Sequence, residues 1–144
     1  MPDSAAELGG LSAYPTADGS FSLESERFGE AFHNSAGALN EAQAKFAVPA
    51  QLSRFGGEHR LTILDVCVGL GYNTAVILEA LADPSPVVQW WGLELDRRPL
   101  QLALSEAGFR SLWTDGVLHR LQAILTSDGW TELNSRGTQL WGDA

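Results

Sequence analysis

Cysteine is almost missing from this chain. Cys67 is the only one in 144 residues, so neither an internal disulfide nor a cysteine-built metal site can form within one copy. Histidine is scarce as well, and His33, His59 and His119 fall at no metal-ligand spacing. Basic residues number 9 against 18 acidic ones, and the formal charge of −9 repels a phosphate backbone at long range. No broad nucleic-acid footprint is written here, and the Arg97-Arg98 pair reads as two solvated residues opening a helix. No apolar run approaches the ~20 residues a membrane span needs. Met1-Pro2-Asp3-Ser4 lacks the basic-then-apolar start of a secretory signal, so a cytoplasmic location is expected.

What remains has the composition of one globular domain, 44% hydrophobic and 19% charged. Residues 1–19, rich in Ala, Gly, Ser and Asp without an apolar period, read as a mobile leader; 20–144 read as the domain. The alternation of Phe21 and Leu23 with Ser20 and Ser22 predicts a short strand. The four-residue spacing of Phe28 and Phe32 predicts a helix over 24–34 that buries both rings. Asn34 or Ser35 can cap a second helix through Phe46, which Pro49 should end.

Leu61 to Val68 is an apolar, partly β-branched run suited to a strand buried on both faces, and Cys67 within it reads as small-residue packing. Gly69-Leu70-Gly71 follows at once. A helix capped by Asn73 or Thr74 should run to about Leu81, and Val87 to Leu95 gives a second strand. Pro99 opens another helix with a Leu100, Ala103, Leu104 and Ala107 stripe, and Gly108 stops it. A helix over 115–127 and a third strand over 138–141 complete the chain. Strand–helix–strand–helix order implies α/β architecture, a parallel sheet with right-handed crossovers.

The chemical signal sits at the ends of these strands. In Asp65-x-x-x-Gly69-x-Gly71, the missing side chains let a ligand approach the backbone, next to the free N–H groups of a helix start. An acid ending the second strand typically holds ribose hydroxyls. Asp96 stands 96 − 71 = 25 positions after Gly71, near the ~20 expected, and Glu94 on the same strand face is the competing candidate. Thr74 occupies the place of the third glycine in a dinucleotide fingerprint, which disfavours a dehydrogenase. A carboxylate at Asp65 suits a cofactor carrying a sulfonium and an ammonium better than one carrying a pyrophosphate. Asp143 follows the third strand, so one nucleoside would meet all three strand ends.

Asp65-Val66-Cys67-Val68-Gly69-Leu70-Gly71-Tyr72-Asn73-Thr74 resembles the MnmC-like methyltransferases. So do Thr16-Ala17-Asp18-Gly19-Ser20, Phe28-Gly29-Glu30 and Gly37-Ala38-Leu39-Asn40-Glu41-Ala42. The resemblance implies the N-terminal part of a Rossmann-like class I methyltransferase fold, strands 1 to 3 of a parallel sheet behind a strand–helix extension. It implies S-adenosyl-L-methionine as cofactor, with Gly69 and Gly71 flanking its methionine part, Asp96 on the ribose and Asp143 near the adenine amino group. Tyr72 and Asn73 join these as candidates. The implied substrate is tRNA, methylated on the 5-aminomethyl group of its wobble uridine. Cys67 departs from the glycine many methyltransferases carry there. The family's acidic-aromatic-proline motif is expected beyond Ala144, so no catalytic residue is assigned. A chain ending there leaves a sheet edge unpaired and open to association. A small-molecule methyltransferase and a non-catalytic binding module remain as alternatives.

Overall fold

The computed structural model describes residues 9–81, 86–126, 131–134 and 137–143, the last two stretches by their backbone. The N-terminal part is a three-stranded antiparallel sheet, β1 (Leu11–Tyr14), β2 (Ser22–Ser25) and β3 (Glu30–Ala31), in that order. The expected leader is corrected from residue 9 onward, because Leu11–Tyr14 pair in register with Ser25–Ser22; residues 1–8 lie outside the described part. The helix expected over 24–34 is also replaced by strand, turn and strand. Gly29 takes φ +65° and donates its N–H to Ser25 O at 2.8 Å, which reverses the chain where a helix would continue. Phe28 and Phe32 are therefore not core residues and stand 64% and 38% exposed.

Helix α1 (Ala38–Ala42) has Gly37, not Asn34 or Ser35, as its N-cap, while Asn34 Oδ1 accepts the N–H groups of Ala36 and Gly37 at 2.9 and 3.2 Å in the turn before it. Ser20 Oγ accepts the N–H groups of Ala38 and Leu39 at 2.9 and 3.3 Å, and the Asp18 carboxylate accepts that of Asn40 at 3.2 Å. A Cβ on Gly37 would run into the Asp18 carboxyl. The Thr16–Ser20 motif is thus a helix cap borrowed from a distant segment. The helix widens into a π-turn (Gln43–Ala47), and Val48 N–H reaches back five residues to Gln43 O. That wider turn carries the chain through Pro49, which has no N–H to donate, into α2 (Val48–Ala50).

The larger part runs β4 (Arg60–Val66), α3 (Tyr72–Ala80), β5 (Val87–Glu94), α4 (Arg98–Ser105), α5 (Ala107–Arg110), α6 (Asp115–Thr126), β6 (Thr131–Asn134) and β7 (Gly137–Asp143). Its sheet has the order β4-β5-β7-β6. β4 and β5 pair in parallel, the α3 crossover joining them. The expected third parallel neighbour is corrected: β7 lies beside β5 but antiparallel to it, because the chain returns through the β6–β7 hairpin instead of a long crossover. The parallel part of the sheet is therefore two strands. Gly108, expected to stop α4, lies inside α5, and Ala107 is exposed instead of continuing the stripe.

The core lies on one face of this sheet. Val88 and Trp90 of β5 are fully buried beneath Tyr72 and Ala75 of α3, Leu100 and Ala103 of α4, Phe109 of α5 and Leu121 of α6. On the other face Leu64, Val66 and Val87 are 64%, 57% and 59% exposed. No helix among the described residues is long and apolar enough to cross a membrane.

Candidate functional site

The glycine turn begins where β4 stops. Cys67 takes φ +61°, a left-handed conformation that disfavours any side chain, and its N–H still reaches Leu93 O at 2.9 Å. Its side chain is exposed, so the expected buried packing of Cys67 is corrected. Gly71 at φ +91° is needed for close approach of a helix: a Cβ there would stand 2.9 Å from Leu100 Cδ1 and 3.6 Å from Leu121 Cδ2. Gly71 is also the N-cap of α3, which starts without a side-chain cap. Asn73 and Thr74 are therefore first-turn residues, not caps. Tyr72 is 1% exposed, donates its hydroxyl to Phe21 O at 2.8 Å and meets His33, Phe109 and Trp113 edge-to-face. It ties the N-terminal sheet to the core and presents no open surface. Asn73 is half-buried beside it.

Asp65 is 8% exposed and accepts the Thr74 hydroxyl at 2.6 Å; Thr74 Oγ1 in turn accepts Trp90 Nε1–H at 2.8 Å. Burial pushes the Asp65 carboxyl above its ordinary value, the Thr74 hydrogen bond opposes this and the Glu94 charge adds to it. Thr74, read from the sequence as a possible helix cap and as the place of a missing glycine, joins β4, α3 and β5 through one hydroxyl.

Glu94 and Asp96 differ sharply in what they hold. One Glu94 oxygen accepts Gly69 N–H at 2.7 Å, and the other accepts Leu95 and Asp96 N–H at 2.7 and 2.9 Å. Asp96 is filled by Arg98: its backbone N–H at 2.9 Å, Nε at 3.0 Å to both oxygens, and Nη2 at 2.7 Å. Three N–H groups thus reach each carboxylate, but Asp96 takes all of its donors from Arg98 and pairs with that guanidinium, whereas Glu94 takes backbone amides alone and holds no ion pair among the described residues. Arg98 Nη1 also donates to Gly9 O at 3.0 Å, clasping the N-terminal segment. Sequence periodicity alone carries no signal for that clasp.

A cavity of about 240 Å³ opens at this end of β5, with Glu94, Leu95 and Asp96 on one wall and the N-terminal sheet on the other. Glu94 and Asp96 are thus brought together at the cavity, with Gly69 held to Glu94 through its N–H, whereas Asp65, Gly71 and Tyr72 face the core. Asp143 is separated from them: its backbone pairs with Gln89 near the start of β5, while Glu94 at the far end pairs with Thr138. The expected meeting of Asp143 with the other strand ends is corrected by the antiparallel direction of β7.

Fold and site together define a mixed α/β protein whose glycine turn is held by the acid that ends the next parallel strand. No protein-family model matches the chain. Among solved structures it is similar to MNMC2 from Aquifex aeolicus, with 39% identity and a TM-score of 0.54 over 58% of this chain and 29% of that one. Among curated proteins it is 38% identical over 63 residues to an uncharacterized protein of Methanocaldococcus jannaschii, 44% of this chain and 17% of that one. The chain therefore spans less than a third of the length of either relative. The likeness to MNMC2 supports an MnmC-like relation, and the α/β architecture is consistent with it.

Proposed function

We propose that this chain supplies the S-adenosylmethionine-binding part of an N-methyltransferase that acts on the 5-aminomethyl group of a tRNA wobble uridine. The observation that carries the reading is the 2.7 Å contact between the Gly69 N–H and Glu94, a residue that lines the cavity. It joins an acid with an acceptor position left for a ribose hydroxyl to the backbone of the glycine turn. The likeness to MNMC2 at 39% identity supports the substrate class. Glu94, not Asp96, is the ribose ligand in this reading, because Asp96 is already paired with the Arg98 guanidinium at 2.7 Å.

S-adenosylmethionine, when bound, supplies a methyl group open to direct displacement by an amine. What this chain contributes is alignment: Glu94 and the glycine turn fix the nucleoside, which turns a bimolecular encounter into an oriented one. No residue of the chain is assigned the proton transfer from the amine.

S-adenosylhomocysteine should stabilise the intact chain by mass action, by about 2.7 kcal/mol at a hundredfold excess over Kd, and so raise its melting temperature. Glu94→Gln should remove most of that shift, and Asp96→Asn should leave most of it. Absence of any shift in the unaltered chain would overturn the reading. The formal charge of −9 favours a second reading, a small amine as acceptor. Competition between tRNA and small amines for methyl transfer separates the two.

A further inference from the structure

We propose that the turn joining β2 to β3 is the second half of this pocket, and that Phe28 and Phe32 form an aromatic wall for the planar base of an adenine nucleoside. The inference rests on the cofactor reading above and adds to it the part of the chain that strand order in the larger sheet does not reach.

Both rings line the cavity opposite Glu94 and Asp96. Phe32 also reaches the glycine turn, with its Cδ1 3.4 Å from where a Cβ on Gly69 would be. The ring, the Gly69 N–H and the Glu94 carboxylate therefore lie within the span of one nucleoside. Single exposed apolar residues need no explanation, but two phenylalanines, 64% and 38% exposed on the same cavity, leave large apolar area in water beside polar ligands for a sugar. The Arg27 guanidinium lies 5.4 Å from the Phe28 ring centroid and braces that ring. The left-handed Gly29 sets where the turn stands.

The chemistry of the walls selects the ligand. Aromatic faces take a flat, uncharged base. Glu30 and Glu94 on the same cavity repel a phosphate, so the site suits a nucleoside or thionucleoside, not a nucleotide.

Calorimetric titration of the intact chain with adenosine, S-adenosylhomocysteine and adenosine monophosphate tests this. Phe28→Ala, at an exposed position, should keep the ligand-free melting temperature. It should weaken adenosine and S-adenosylhomocysteine by the same factor, about tenfold, because stacking on one ring is lost. Phe28→Trp should restore binding, and the monophosphate should bind at least about tenfold more weakly than adenosine. If Phe28→Ala and Phe32→Ala both bind S-adenosylhomocysteine like the unaltered chain while Glu94→Gln does not, the aromatic wall is refuted and the cofactor reading stands. Tighter binding of the monophosphate than of adenosine would refute the nucleoside preference. No binding by the unaltered chain would overturn both.

Discussion

Asp65 is the residue whose environment differs most from its sequence reading. Its position inside the first strand, ahead of the glycine turn, marks it as suited to a cationic cofactor, yet its carboxylate points into the Thr74–Trp90 network, 8% exposed. A free-energy consequence follows from its raised pKa. The folded state holds the Asp65 proton more tightly than the unfolded chain, whose value is near 3.8, so ionisation costs stability as pH rises from there through the folded value. Each unit of upward shift corresponds to about 1.36 kcal/mol. Asp65→Asn keeps an acceptor for the Thr74 hydroxyl and does not titrate. The wild type should therefore lose stability relative to this variant as pH climbs from acid to neutral, read from urea midpoints; parallel pH curves would refute it. Glu94 and Asp96 were both legible as candidates. The choice between them was not, because it depends on Arg98, whose side chain folds back over Asp96 and onto Gly9.

At the scale of elements, long segments with a clear period were legible: β4, α3, β5, α4 and α6 all fall within a few residues of where the apolar pattern puts them. Short ones were not. The Phe28–Phe32 spacing suits a helix, but pairing of β2 with β1 and the left-handed Gly29 outweigh a local preference of a fraction of a kcal/mol per residue. The start of α1 was misread for a related reason. Its caps, Asp18 and Ser20, lie about twenty positions upstream, where no local rule looks for them. Asp18→Ala should therefore destabilise the chain by about 0.5–2 kcal/mol, the usual cost of a lost cap. Hydrogen exchange should speed up first at the Asn40 amide, and unchanged protection there would count against the cap.

Among the described residues, helices cover one face of the larger sheet and leave Leu64, Val66 and Val87 on the other exposed. Parallel strands are ordinarily buried on both faces, yet Leu64 and Val66 of β4 stand more than half exposed on the edge strand of the described sheet. A formal charge of −9 keeps copies apart at low salt, and salt screens that repulsion. Self-association in sedimentation runs should therefore grow with ionic strength, and Leu64→Lys with Val66→Lys should suppress it without lowering the melting temperature much. Salt-independent association, or association untouched by these changes, would refute a role for this edge.

The residue pattern by itself determined the α/β class, the glycine turn after β4 and the acids near the end of β5, since each depends on periodicity or spacing within a few dozen positions. Tertiary structure decided the rest. β7 runs antiparallel and carries Asp143 away from Glu94, Arg98 pairs with Asp96, and the β2–β3 hairpin brings Phe28 of its turn and Phe32, just after β3, to the cavity. These outcomes hinge on strand direction and on contacts between distant segments, whose energies no local window of sequence contains.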